Sequence, residues 1–308
     1  MTNEISFPDG SDENGDVGRD LDTAAEVFST VRRRLFGIAY RMLGTASDAD
    51  DIVQDVWLRW QTCDRSAVLD PPAFLATVTT RLSINVLQSA RHRRETYIGP
   101  WLPEPVNTAD DPELGAERGE ALGFAMLLLL EKLTPTERAA YILREAFDYE
   151  YSQIARIVQL KEPATRQLVS RARKHLAGER RVAVESTEQR RLLSAFLQAA
   201  QQGDVTALEA LFASDVVSYT DGNGVKLAAR IPVVGRQRVA QFIAAFSSHF
   251  WTGKRVDWVE LNGQQAVTLS ENGVVTTALT MTVGDDGIDQ VMWIMSPPKL
   301  TRTVPASA

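Results

Sequence analysis

Two stretches of this sequence carry basic side chains and no acidic residue. They are residues 163–176 and residues 71–94, and both also hold amide or hydroxyl side chains. Clustered arginine and lysine side chains neutralise a phosphate backbone, and polar side chains between them can reach base edges. The two stretches therefore indicate contact with nucleic acid.

The segment 149–176 has the pattern of a helix-turn-helix. A short helix is predicted over 152–158, a tight connection follows, and a second helix runs from 164 to about 176. Small Ala155 permits a close crossing, and the first turns of such a second helix enter the major groove. An ordinary helical hairpin with a solvated basic face remains the alternative. The candidate DNA contacts are Thr165, Arg166, Gln167, Ser170, Arg171, Arg173 and Lys174.

Residues 71–94 are predicted to form one long helix opened by Pro72. A helix with one basic end can bind a nucleic-acid strand through phosphate contacts and stacking. Alternatively, its basic last turn only interacts favourably with the helix dipole, and the nearby Trp57, Trp60 and Phe74 belong to a core. The candidate donors are Arg81, Asn85, Gln88 and Arg91.

A third segment, residues 48–60, combines carboxylates with aromatic and aliphatic side chains. Its four aspartates lie on a single predicted helix, and no second acidic cluster accompanies them. A cation site needs oxygen ligands that converge from several directions. The segment therefore favours a protein-docking face over a metal site.

Composition is that of a globular protein of two or three domains, with 308 residues, 44% hydrophobic and 24% charged. The single cysteine, Cys63, excludes a disulfide scaffold. The net charge is −7, but residues 1–22 hold seven acidic residues beside one arginine, so the rest of the chain is nearly neutral. Neither a signal-peptide pattern nor an apolar segment of about 20 residues is seen, so a cytoplasmic protein is expected.

The predicted domains follow from changes in pattern along the chain. We expect a disordered acidic tail (1–22), a helical domain (23–95), a proline-containing linker (96–118), a second helical domain (119–182), an α+β domain (188–300) and a short tail (301–308). In the α+β domain, two helices precede short strands that include residues 225–230. An antiparallel meander is the expected sheet.

These parts, in this order, resemble a known family. Residues 48–59 look like region 2 of an extracytoplasmic-function sigma factor, and residues 133–138, 151–155 and 168–173 look like region 4. Trp-Leu-Pro-Glu-Pro at 101–105 resembles the subgroup that carries a fused C-terminal SnoaL-like domain. Residues 196–204, 215–217 and 221–226 are similar to that domain, so the resemblance spans about 23–300.

The resemblance implies a fold and a function. The fold is two all-α helical sigma domains, regions 2 and 4, followed by an α+β SnoaL-like cone with a curved antiparallel sheet and helices. The function is an alternative sigma factor that binds core RNA polymerase and directs promoter-specific initiation, with no metal and no cofactor. Core contacts, at the β′ clamp and β flap, would include Asp51, Gln54 and Asp55.

The same resemblance assigns roles to the basic helices. Arg81, Asn85, Gln88 and Arg91 would bind the −10 element, and the candidates in the second helix of the helix-turn-helix would bind the −35 element. We expect a monomer when free, no membrane contact and weak DNA binding without polymerase. A ligand-sensing DNA-binding regulator is the alternative, and the docking face at 48–60 argues against it.

The resemblance also implies regulation in cis, through contact between the linker and the C-terminal domain. The residues involved would be Trp101, Leu102, Pro103, Asp221 and Lys226. Two motifs depart from the family pattern. Asn223 replaces a glycine in Asp-Gly-Gly-Gly-Lys, and Ser296-Pro-Pro-Lys-Leu300 stands where the family has Asn-Pro-Asp-Lys-Leu.

The C-terminal domain leaves two further hypotheses open. It could bind a small molecule in a pocket lined by aromatic side chains. Catalysis would need a base beside a polarising group, and the tempting groups Asp221, His249 and Asp257 form no recognisable dyad. We therefore do not expect an enzyme. The candidate pocket residues are Tyr219, Trp251, Trp258, Trp293 and Met295.

Overall fold

The computed structural model describes residues 11–95, 97–108, 123–177 and 185–303, without the side chains of 11–20 and 90–95. The first bundle consists of α1 (Ser11–Leu43), α2 (Ala46–Thr62) and α3 (Pro71–Glu95). Gly44, with φ +72°, ends α1. Buried Trp60 ties α2 to α1 by donating its indole N–H to the Ala24 carbonyl at 3.0 Å.

The predicted acidic tail differs from the structure. Helix α1 begins at Ser11, so residues 11–22 are helical and not disordered, while residues 1–10 lie outside the described chain. Asp12, Glu13 and Asp16 fall in the first turns of this helix. Carboxylates at that end are favoured by the helix dipole, which explains how so polar a segment can be helical.

The second bundle contains the helix-turn-helix. Its helices are α4 (Phe124–Leu130), α5 (Pro135–Glu145), α6 (Tyr151–Val158) and α7 (Glu162–Ala177). Thr134 and Glu137 form a capping box at the start of α5, with both reciprocal hydrogen bonds present. Gln159 closes α6 in the left-handed region, where glycine is more usual. One continuous apolar core joins the two bundles.

The C-terminal domain is a sheet flanked by helices. The helices are α8 (Ser186–Gln202), α9 (Val205–Leu211), α10 (Arg236–Ala245) and α11 (Ser247–Phe250). The strands are β1 (Phe212–Asp221), β2 (Val233–Val234), β3 (Arg255–Leu261), β4 (Gln264–Glu271), β5 (Val274–Gly284) and β6 (Gly287–Ile294).

The sheet is open and curved, with strand order β2-β1-β6-β5-β4-β3. Four of its pairings are antiparallel as expected, whereas β1 and β6 are parallel. The strand predicted at 225–230 is wrong. That segment is a loop, because turns closed by the Gly222 and Val225 carbonyls curl the chain after β1.

The two faces of the sheet have different neighbours. One face packs against α8 and α10 through residues such as Val216, Val291 and Trp293. The other face, which includes Met292 and Ile294, is covered by Leu102 of the linker and Phe124 of α4. The apolar cluster on this face consists of Leu102, Phe124, Leu261, Ala266, Ala278, Met292, Ile294 and Leu300. The sheet is thus the surface on which the linker and the second bundle rest. No helix within the described ranges is long and apolar enough to cross a membrane.

Candidate functional site

The side chain of Asp221, at the end of β1, binds the linker to the C-terminal domain. Its fully buried carboxylate accepts hydrogen bonds from the Leu102 amide at 2.7 Å, the Tyr97 hydroxyl and the Lys299 ammonium at 2.6 Å. The Lys299 ammonium also donates to the Leu102 carbonyl at 2.5 Å. We call Tyr97, Trp101, Leu102, Asp221 and Lys299 the linker junction.

Aromatic rings enclose the charge pair of the junction. The Lys299 nitrogen lies 4.3 Å from the ring centroid of Trp101 and 5.0 Å from that of Tyr97. Burial, reinforced by the negative charge of Asp221, raises the pKa of Tyr97 well above its ordinary value, so the phenol stays a hydrogen-bond donor. The pair is therefore both desolvated and fully hydrogen-bonded, the condition under which a buried ion pair is tolerated.

The linker also contacts the first bundle. A Cβ at Gly44 would lie 2.7 Å from the Trp101 ring, so only glycine lets the indole pack there. The Glu104 carboxylate accepts from the amides of Ala46 and Ser47 at 2.9 and 3.2 Å. It caps the N-terminus of α2, where the Thr45 side chain makes no cap. Pro103 is buried between these two contacts.

Lys226 does not take part in the linker junction. Its side chain is exposed in the loop that turns away after Gly222. Lys299 occupies the expected place because the short turn Pro297–Lys299 directly follows β6, the parallel neighbour of β1. This role of Lys299 was not predicted from the sequence, although the lysine retained in the Ser296–Leu300 motif could have indicated it.

Sequence reasoning also missed contacts that carry no motif. The Asn262 amide donates to the Tyr40 hydroxyl at 2.6 Å, and that hydroxyl donates to the Glu104 carbonyl at 2.6 Å. Arg302 pairs with Asp50 on α2. Residues so far apart in the chain meet only after folding, so no local pattern could reveal them.

The predicted core-binding residues form an exposed strip on α2. Asp51, Gln54 and Asp55 are all exposed, at a spacing that places them on one face of the helix. The opposite face of α2 is buried, at Ile52, Val53 and Val56 among others. The strip adjoins the Asp50–Arg302 ion pair, so the C-terminal domain touches the edge of this surface.

The predicted −10 residues lie on an exposed stripe of α3. Arg81, Asn85 and Gln88 are solvent-facing, whereas the side chain of Arg91 lies outside the described part of the chain. Arg81 is already engaged: its guanidinium donates to the carbonyls of Ile157 and Arg156 at 3.0 and 2.9 Å. These carbonyls end α6, where a helix dipole attracts a cation.

The predicted −35 residues are mostly exposed on α7. Gln167, Ser170, Arg171 and Lys174 face solvent, while Arg166 pairs with Glu162 at 2.7 Å and Arg173 with Glu145 at 2.6 Å. Thr165 is a correction. It is fully buried, and its hydroxyl bonds the Lys161 carbonyl at 3.2 Å, so it cannot reach a base edge.

A small cavity of about 40 Å³ lies between the sheet and α10 and α11. Three of the expected aromatic-pocket residues, Trp251, Trp293 and Met295, do line it. Tyr219 instead packs on the opposite face of the sheet, and Trp258 is partly exposed beneath Arg190. The full lining is Thr220, Leu227, Phe242, Ile243, Phe246, Phe250, Trp251, Trp293 and Met295.

The acid–base candidates lie in three separate places. Asp221 is held in the linker junction, Asp257 pairs with Arg255 at 2.8 Å, and exposed His249 contacts Ser248. None of the three lines the cavity. The described residues therefore bring no pair of these groups together over a substrate.

Family models and relatives agree with this architecture. Sigma-70 region 2 matches residues 27–93, and sigma-70 region 4 matches residues 124–176. The ECF RNA polymerase sigma factor SigJ of Mycobacterium tuberculosis is 37% identical over 231 residues, covering 73% of this chain and 74% of SigJ. The probable ECF sigma factor SigI of the same species is 28% identical over 91% of this chain and 95% of its own.

A solved structure covers the C-terminal domain as well. The crystal structure of M. tuberculosis SigJ matches with a TM-score of 0.73 and 30% identity, over 92% of this chain and all of the other. The chain belongs to the extracytoplasmic-function sigma factors of the sigma-70 family. It is an alternative sigma factor that directs transcription initiation, built from regions 2 and 4 and a SnoaL-like C-terminal domain. Sigma factors are not enzymes.

Proposed function

We propose that the C-terminal domain of this sigma factor holds regions 2 and 4 together and thereby restrains initiation in cis. In the active state, the strip Asp51, Gln54 and Asp55 would dock on the β′ clamp of core polymerase, and region 4 would meet the β flap. The exposed, acidic, uninterrupted surface of this strip supports that assignment.

DNA contacts would follow the two exposed stripes. Asn85 and Gln88, with Arg81 and Arg91, would bind and open the −10 element, where extruding a base costs a few kcal/mol. Gln167 and Ser170 are placed to read bases of the −35 element, and Arg171 and Lys174 to hold its phosphates. Arg166 and Arg173 would first exchange their glutamate partners for phosphate.

In the structure the two bundles are packed together, and we call this the closed arrangement. It is incompatible with binding the −10 and −35 elements at the same time. By their names the two elements lie about 25 base pairs apart, or about 85 Å along B-form DNA. In the structure the two bundles share one core, and Arg81 of α3 is bonded to α6. Initiation therefore requires the bundles to separate and Arg81 to be released.

The observation that carries the proposal is that one sheet touches both bundles. Asn262, between β3 and β4, bonds Tyr40 of region 2, while fully buried Phe124 of region 4 packs on the sheet face. The linker junction fixes residues 97–102 of the chain segment between them. Weakening the junction should loosen the closed form and raise initiation.

In vitro transcription with core polymerase, on DNA from upstream of the chain's own gene, tests this. We expect core-dependent initiation by the full chain and about a severalfold increase for Lys299→Met, because Asp221 loses its buried partner. Lys226→Met, at the exposed lysine, is the matched control and should match the parent. Equal or lower initiation by Lys299→Met at equal core occupancy would reject restraint by this domain.

Promoter binding by the free chain distinguishes this proposal from a second candidate function. We expect a free monomer that binds promoter duplex weakly, because acidic side chains repel DNA and polymerase must supply orientation. Core-independent binding at nanomolar affinity, together with no initiation, would instead favour a ligand-sensing DNA-binding regulator.

A further inference from the structure

The cavity of the C-terminal domain is apolar, with a single hydroxyl in its wall. None of the residues that line it is charged, and five of them are phenylalanine or tryptophan. Among these, the Phe250 ring meets the rings of Trp251 and Trp293 edge to face. A charged ligand would lose its hydration there without gaining a partner. The lining therefore suits an uncharged aromatic molecule.

Thr220 provides the polar contact of this cavity. Its side chain is 4% exposed, and its hydroxyl is the one side-chain oxygen among the residues that line the cavity. A hydroxyl in an otherwise apolar wall can donate a hydrogen bond to a bound molecule or accept one from it. A hydroxyl or carbonyl on the aromatic ligand would form that bond.

The cavity is too small for such a ligand unless its wall moves. Its volume of about 40 Å³ corresponds to roughly three water molecules at about 10–15 Å³ each. The wall residue best able to move is Leu227, which is 59% exposed and has φ +76°, a conformation that bulky side chains rarely adopt. Displacing Leu227 would relieve this backbone strain.

The loop that carries Leu227 also touches the linker. Asn223 accepts from the Ile98 amide at 3.4 Å, and the Gly99 backbone lies against Ala229. At the base of the loop, Thr220 and Asp221 are consecutive on β1 and so face opposite sides of the sheet. Thr220 lines the cavity, and Asp221 holds the linker junction.

We propose that the cavity binds an uncharged, single-ring aromatic molecule bearing one hydroxyl or carbonyl, and that binding displaces the 222–230 loop and loosens the linker. This rests on the proposed function for its consequence, since a loosened linker would raise initiation. Binding itself needs no polymerase, so it is tested on the free full-length chain.

The probe is 4-fluorobenzyl alcohol, followed by fluorine NMR. We expect a Kd on the order of 1 mM or tighter, with much weaker binding of 4-fluorobenzoate, which is charged. Thr220→Val should weaken binding of the alcohol about fivefold and leave 4-fluorotoluene unaffected. Ile243→Phe fills the cavity and should abolish binding, whereas Val274→Ala, at an exposed valine outside the lining, should bind like the parent.

Amide hydrogen exchange then measures whether binding in the cavity loosens the linker. With the alcohol bound, amide exchange should rise together in residues 97–102 and 222–230. Absence of alcohol binding up to about 10 mM, or equal binding of the benzoate, overturns the site. Binding with unchanged exchange in 97–102 overturns the coupling. If Ile243→Phe fails the folding check by circular dichroism, the Thr220→Val comparison decides alone.

Discussion

At the scale of single residues, one buried carboxylate organises the contacts of the linker. Asp221 has no exposed side-chain surface, and its partners are Tyr97 and Leu102 of the linker and Lys299 from the turn after β6. Removing one partner from such a group is costly because the remaining charge stays buried. The junction is therefore stable only as a complete set.

The Tyr97 hydroxyl gives the junction a predictable pH dependence. The pKa of Tyr97 is raised in the folded chain, so its contribution to the free energy of unfolding is complete below the ordinary tyrosine pKa of 10.0. Above that pH the contribution declines, because the tyrosine of the unfolded chain ionises first. At pH 8, Tyr97→Phe should lower the unfolding free energy by about 1 kcal/mol. At pH 10.5 that difference should shrink by about 0.8 kcal/mol. Urea unfolding at both pH values measures it, and a difference that grows with pH would contradict the assignment.

Gly44 is a second residue-scale test, because it combines a positive φ with a close contact. Gly44→Ala should cost about 1 kcal/mol for the backbone alone, and more because its Cβ meets the Trp101 ring. Gly273→Ala is the matched control, since Gly273 has φ +80° and no neighbour within 4 Å. Equal losses for the two variants in thermal unfolding would mean that Trp101 does not press on this position.

At the scale of elements, α2, α3 and α7 present exposed stripes whose opposite sides are buried. The same helices therefore build the cores and carry the side chains that we propose to contact polymerase and DNA. Two arginines of α7 are tied to glutamates, whereas Arg171 and Lys174 show no ion pair among the described residues. These two cations should thus dominate phosphate contact by α7.

Salt dependence tests that expectation. With core polymerase present, Arg171→Ala and Lys174→Ala should each weaken promoter binding across sequences and reduce the slope of log affinity against log salt by about one. Arg238→Ala removes an exposed arginine of α10 and should change neither quantity. Slopes identical to the parent in both α7 variants would remove them from the phosphate contacts.

At the scale of the whole molecule, the closed arrangement is held by contacts that cross all three domains. The two bundles share one core, and the C-terminal sheet covers the linker and Phe124. Three arginine guanidiniums also cross between the bundles to backbone carbonyls: Arg34 to Phe147, Arg81 to Ile157 and Arg138 to Met42. The opening that we propose would therefore expose apolar surface, and contact with polymerase would have to compensate for that exposure.

Distance measurement tests this opening. Cys63→Ser leaves the chain without cysteine. Leu69→Cys and Leu160→Cys, at two exposed positions, can then each carry a label. On binding core polymerase and promoter, their separation should increase by on the order of 30 Å or more, given the spacing of the two DNA elements. An unchanged separation in an initiating complex would mean that the closed form is itself active.

Much of this protein is determined by local sequence. The helix-turn-helix, the Thr134 capping box, the exposed strip on α2 and most strands follow from periodicity, caps and turns, which act over a few residues. The order of motifs was enough to indicate the family. Local pattern failed at residues 225–230, where turns closed by the Gly222 and Val225 carbonyls replace the predicted strand.

Tertiary structure alone decided which distant residues meet. Lys299 and not Lys226 neutralises Asp221, because the parallel pairing of β1 with β6 brings the end of β6 beside the end of β1. Thr165 is buried because α7 must turn that side toward the core. The packing of region 2 on region 4 likewise depends on apolar surface shared by segments that are far apart in sequence. The hydrophobic effect is non-directional, so it drives burial without determining which segments pack against each other.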